Sequence, residues 1–100
     1  ELDLLAEVAR QRARLHGLAD ALALHQEQVD AAAATEAAER ELYEQGRTPL
    51  RFVLEAQDVT EAARRAWIET GARYHRVLLS YRELVDDLLA ATNAATEGDS

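Results

Sequence analysis

Three histidines, a few acidic clusters and two arginines beside a Gly-Pro segment are the side chains of this 100-residue chain that invite a chemical reading. His16 and His25 are nine residues apart, which sets them on opposite sides of a helix with 3.6 residues per turn. They cannot grip one metal ion. His75 lies far along the chain and can approach His16 only if the two halves pair antiparallel. Two imidazoles fall short of a structural metal site, so no metal is expected. The carboxylates cluster at Asp86-Asp87 and at Glu39, Glu41 and Glu44. Acid–base chemistry needs an enclosing pocket that shifts their pKa values, and nothing here promises one. Glu61 with Arg64 and Arg65, and Glu69 with Arg73, have the spacing of helix-surface ion pairs. There is no Cys, no nucleophile motif and no Gly-rich phosphate loop. No catalytic residue and no cofactor are expected.

The elements that carry these side chains are helical. Ala contributes 21 residues and Leu 15, while Gly contributes 4 and Pro 1. Ala, Leu, Glu, Gln and Arg are strong helix formers, and Gly and Pro are the breakers. All 11 basic residues are Arg against 19 acidic ones, a net charge of −8. That balance argues against nucleic acid, whose phosphates require clustered cations. No apolar run approaches the ~20 residues of a membrane-spanning helix. Glu1-Leu-Asp-Leu begins directly in helical pattern, with no signal peptide.

One break interrupts the pattern, at Glu44-Gln-Gly-Arg-Thr-Pro49. Gly46 suits the left-handed conformation that closes a helix. Thr48 is placed to cap the next helix, with Pro49 at its first position. The sequence therefore predicts an all-α fold. A helix over about 2–44, a turn at 45–48 and a helix over about 49–91 form a single hairpin. Residues 92–100 are expected to be a frayed polar tail. A short link makes the helices antiparallel neighbours, and residues whose numbers sum to about 93 face one another.

Helices of roughly 40 residues usually pair as coiled coils. A seam in the first runs Leu4, Val8, Leu15, Leu18, Leu22, His25, Val29, Ala32 and then Tyr43. His25 is a polar seam residue suited to fixing register. Between Ala31 and Arg40 the stripe is mostly methyl groups, which let a partner come close. The second helix carries two stripes. One is Val53, Ala56, Thr60, Ala63, Trp67, Thr70, Tyr74, Val77, Tyr81, Leu84 and Leu88. The other is Leu54, Ala62, Ile68, Ala72, Leu79 and Leu89. A single antiparallel neighbour buries one stripe, so further helices are expected on the other, in an α-barrel or a four-helix bundle.

The residues around the turn, Tyr43-x-x-Gly46-x-x-x-Leu50-x-x-Val53-Leu54-x-Ala56-Gln57, resemble the hairpin signature of TolC-type outer-membrane efflux proteins. Ala62, Ala63, Ala66, Trp67, Tyr74, Tyr81 and Leu84 continue the likeness, which spans roughly residues 29–89. The chain departs from the family at Pro49, where a Ser is common, and at Phe52, where an Asp is. The resemblance implies a periplasmic piece of a bacterial outer-membrane protein, a homotrimer when complete. Such hairpins wall a periplasmic conduit and meet the adaptor protein of a tripartite pump at their tips. Gly46, Arg47, Thr48, Pro49, Leu50 and Arg51 map onto that tip as partner-binding residues. Tyr43, Val53, Leu54, Ala56, Gln57, Trp67, Tyr74 and Tyr81 map onto packing positions. The family's β-strands have no counterpart here. The alternative expectation is a stand-alone coiled-coil module that self-associates into a helical bundle.

Overall fold

A computed structural model of the chain describes residues 2–99, with side chains as far as 96. It is an all-α hairpin of two long helices. Helix α1 spans Leu2–Glu44 and helix α2 spans Leu50–Asp99. Contacts divide the chain into two units, Asp20–Gly71 with the turn, and Glu1–Ala19 with Ala72–Ser100.

The turn ends α1 as the sequence requires. Gly46 has φ +72°, and it is the one residue with positive φ among those described. Its N–H donates to the Tyr43 carbonyl at 2.9 Å, and the Arg47 N–H donates to the Leu42 carbonyl at 2.8 Å. These two bonds define a Schellman motif, which satisfies carbonyls that the ending helix leaves without partners. On the far side, Phe52 N–H donates to Pro49 O at 3.2 Å. Pro49 itself precedes the helix, which starts one residue later than expected. The threonine hydroxyls that bond to backbone among the described residues are those of Thr60, Thr92 and Thr96, so Thr48 does not supply the expected cap.

In the Asp20–Gly71 unit the antiparallel register follows the expected sum. A Cβ placed on Gly71 would stand 3.6 Å from Leu22 Cδ2, and the two numbers add to 93. The first stripe of α2 is the buried one. Val53, Ala56, Thr60 and Thr70 are buried in this unit, with Thr60 fully so. The Thr60 hydroxyl donates to the Ala56 carbonyl at 3.1 Å, one turn back on its own helix. Such a bond lets a hydroxyl enter a seam without a cross-helix partner. In the unit of Glu1–Ala19 with Ala72–Ser100, Val77 is buried, and Tyr81, Leu84 and Leu88 are half-buried opposite Leu4, Val8, Leu15 and Leu18.

Three differences from expectation have physical causes. The seam of α1 does not end on Tyr43, which is 43% exposed; Leu42 is half-buried in its place. Leu42 is the residue whose carbonyl closes the Schellman motif, the position that such motifs press inward. The seam also passes through Gln11, Glu36 and Glu39, all half-buried. Finally, α2 runs on past Ala91 to Asp99, where a frayed tail was expected. Ala90, Ala91, Ala94 and Ala95 favour helix strongly, and no breaker occurs before Gly98. Thr92 and Thr96 turn their hydroxyls onto the carbonyls of Leu88 and Thr92, at 2.9 and 3.0 Å. Glu1 and Ser100, the two ends of the expected hairpin and tail, lie outside the described residues.

Candidate functional site

The tip is built by the turn just described. Arg47, Pro49, Leu50 and Arg51 are exposed, and Thr48 is half-buried. Leu50 shows 47% of its surface and Phe52 38%. The Arg51 guanidinium carbon stands 5.0 Å from the centroid of the Phe52 ring. That stacking holds a cation over an apolar face, worth about 0.5–1 kcal/mol at an exposed site. A groove of about 350 Å³ lies beside it, lined by Ala38, Glu41, Leu42, Gln45 and Arg47. The tip thus offers Leu50 and Phe52 as apolar contacts and two guanidiniums as hydrogen-bond forks. It has the chemistry of a protein-contact surface.

The residues mapped as packing positions divide between three environments. Val53 and Ala56 are buried in the seam, and Gln57, Tyr74 and Tyr81 are half-buried. Tyr43, Leu54 and Trp67 are exposed. The second stripe of α2 is open to solvent throughout its large members: Leu54 at 51%, Ile68 at 63%, Leu79 at 47% and Leu89 at 56%. On α1, Leu5 and Leu24 are also about half exposed.

Small side chains leave space rather than filling it. An apolar groove of about 460 Å³ is lined by Gln28, Ala31, Ala32, Thr35, Ala56, Val59 and Ala63. The methyl-only segment of α1 forms one wall of it. A second groove, polar and of about 510 Å³, has Glu36, Arg40, Glu41, Glu44 and Arg64 on its walls. Here Arg40 Nη2 donates to Glu36 Oε2 at 2.8 Å. The Glu36 carboxyl is held below the ordinary carboxylate value, first by that bond and next by the Thr60 hydroxyl. That hydroxyl has one proton, and its geometry favours the Ala56 carbonyl, so Arg40 carries the effect. Glu7 is lowered in the same way, by Gln11 first and Arg10 second.

The histidines stand apart. His25 is half-buried on the seam, with Nδ1 3.1 Å from Gln28 Oε1. His16 and His75 are exposed. Among the described residues no three His, Asp or Glu side chains gather in a way that could hold a metal ion. Nor is any described helix long and apolar enough to cross a membrane. The ion pairs among the described residues are Arg10–Glu7 and Arg40–Glu36, both on α1. The pairs expected on α2, around Glu61 and Glu69, do not form.

Sequence reasoning passed over the polar members of the α1 seam. The signal for them was spacing alone. Alternating steps of four and three from Leu4 lead through Gln11, and from Ala32 to Glu36 and Glu39. Their polarity hid them. Compared with known proteins, the chain matches no family model, no curated protein and no solved structure.

Proposed function

We propose that this chain is a structural hairpin of a TolC-like efflux channel, forming part of a periplasmic conduit wall and docking a periplasmic adaptor through its tip. One observation carries the reading: α2 has two apolar stripes, and the hairpin covers only one of them. Leu54, Ile68, Leu79 and Leu89 stay about half exposed or more. A stave in a ring of helices has neighbours on both sides, and such a helix needs apolar residues on both. The tip supports the docking role, because its exposed Leu50 and Phe52 sit beside Arg47 and Arg51. By this reading the complete protein is a homotrimer of the outer membrane, and this chain holds none of its membrane-spanning part.

The test is made in the complete parent protein. Leu50→Asp places a charge on the apolar contact of the tip without touching the seam. It is expected to abolish adaptor capture and efflux while helix content is unchanged. Gly46→Pro removes the N–H that closes the turn and is expected to do the same. Wild-type efflux in both variants overturns the docking role.

A second reading is a self-associating bundle with no transport role, in which further copies of the chain cover the same open stripe. The chain exposes 7272 Å². A compact monomer of this mass exposes about 5,600 Å². The excess asks for covering helices, whoever supplies them. Self-association that persists in a Leu50→Asp variant with wild-type efflux selects this reading.

A further inference from the structure

In the unit of Glu1–Ala19 with Ala72–Ser100, three guanidiniums from two helices converge on one polar groove. It measures about 280 Å³ and is lined by Gln11, Arg14, Arg73, Arg76, Val77 and Ser80. No carboxylate lines it. Arg14, Arg73 and Arg76 take part in none of the ion pairs among the described residues. Arg73 and Arg76 are three apart on one helix face, where like charges repel. Gln11 uses its Nε2 on Glu7, at 3.0 Å, and leaves a buried Oε1 with no donor. On a chain of net charge −8, this is cation concentrated against the general sign.

The groove borders the open stripe. Arg76 follows Ala72 by four residues and precedes Leu79 by three, so it neighbours both on the helix surface. Ala72 is exposed, and Leu79 is 47% exposed. A helix that covers Ala72 and Leu79 must run alongside Arg76, in the relation that flanking charges have to a coiled-coil seam.

We infer that this arginine groove is a docking site for an acidic helix, and that its occupant is a second copy of this chain. The argument is charge complementarity joined to apolar burial. Each copy carries 19 acidic side chains, Glu83, Asp86 and Asp87 of α2 among the exposed ones, and each offers the same cationic groove. A surface that is acidic in general and cationic at one groove complements itself, as a symmetric interface requires. Carboxylates from the neighbour accept from the guanidinium forks at the rim, while Leu79 is covered at the centre. This inference rests on the reading that the second stripe of α2 is covered by helices, and the experiment below separates the two.

Sedimentation equilibrium of the chain in 0.1 M and 1 M NaCl tests it. Wild type is expected to associate, and more weakly at high salt. The double variant Arg73→Glu/Arg76→Glu is expected to weaken association about tenfold or more. The double variant Arg12→Glu/Arg82→Glu makes the same change in net charge outside the groove, and is expected to stay near wild type. Circular dichroism checks that each variant keeps its helix content. Leu79→Asp is expected to abolish association. If Leu79→Asp dissociates the chain and the Arg73/Arg76 reversal does not, the covered stripe stands and the groove has no role. Equal weakening by the two double variants reduces the effect to bulk charge and overturns the groove. A wild type that stays monomeric overturns both the groove and self-association.

Discussion

Replacing Gly46 by alanine forces a Cβ into the left-handed region, at φ +72°. The strain is about 1–2 kcal/mol. The same replacement at Gly17 or Gly71 has the opposite sign. A Cβ on Gly17 meets nothing within 4 Å, and one on Gly71 makes an ordinary contact with Leu22. Both sit inside helices, where alanine is favoured over glycine by about 0.8–1 kcal/mol. Thermal melts of the three variants are therefore expected to split, one down and two up. Glu36 offers a second expectation at this scale. Its carboxyl titrates below the ordinary value of about 4.3 because Arg40 bonds the charged form. A lowered value in the folded state means that the contribution is complete at neutral pH. It is lost as pH falls through the folded value. In carboxyl titrations by NMR, Arg40→Ala is expected to return Glu36 toward the ordinary range. An unmoved midpoint would remove Arg40 as the cause.

At the scale of the element, the two stripes of α2 differ in what they contribute to the hairpin. Val77 is 6% exposed, and truncation to alanine removes packed methyl groups at about 2 kcal/mol. Ile68 is 63% exposed, so Ile68→Ala in dilute solution is expected to change stability by no more than about 0.5 kcal/mol. Denaturant unfolding of both variants measures the contrast, and equal losses would mean that the seam is misassigned. Much of this architecture was legible in the residues. Gly46 and Pro49 punctuate one long helical pattern, and steps of three and four pick out Val53 to Leu88 as a stripe. The buried stripe and the register that sets Gly71 against Leu22 followed from those signals. Other features were not legible. Glu36 occupies a seam position although its side chain is polar, because its carboxylate finds Arg40 one turn away. The helical end of α2 was not legible either, because apolar periodicity ends near Ala91 while the alanines beyond it still favour helix. Ala-rich segments stay helical on backbone propensity with nothing to pack against. The turn at Gly46 was the most legible single feature. The arginine groove was not legible, since it joins residues of two helices more than fifty positions apart.

For the whole molecule, the notable quantity is apolar surface left open along α2. Hydrophobic burial is the main source of stability, and a two-helix chain with three buried apolar side chains among the described residues has little of it. An assembly that covers Ile68, Leu79 and Leu89 would raise stability with concentration, since partners stabilise by mass action. Both functional readings require that coupling; they differ in whether the tip also has a partner. The melting temperature is accordingly expected to climb with protein concentration for wild type and to stay flat for Leu79→Asp.

The Schellman turn has a consequence for how the chain comes together. Closing a loop costs more entropy the longer it is, so the contacts nearest Gly46 are the least costly to form first. Once they exist, each further pair closes only a short additional segment. The hairpin is thus expected to assemble outward from Gly46, with Glu1–Ala19 meeting Ala72–Ser100 at the end of the process. Contacts formed early govern the rate of folding, and those formed late govern the rate of unfolding. Gly46→Ala then slows refolding in a stopped-flow experiment, whereas Val77→Ala chiefly hastens unfolding.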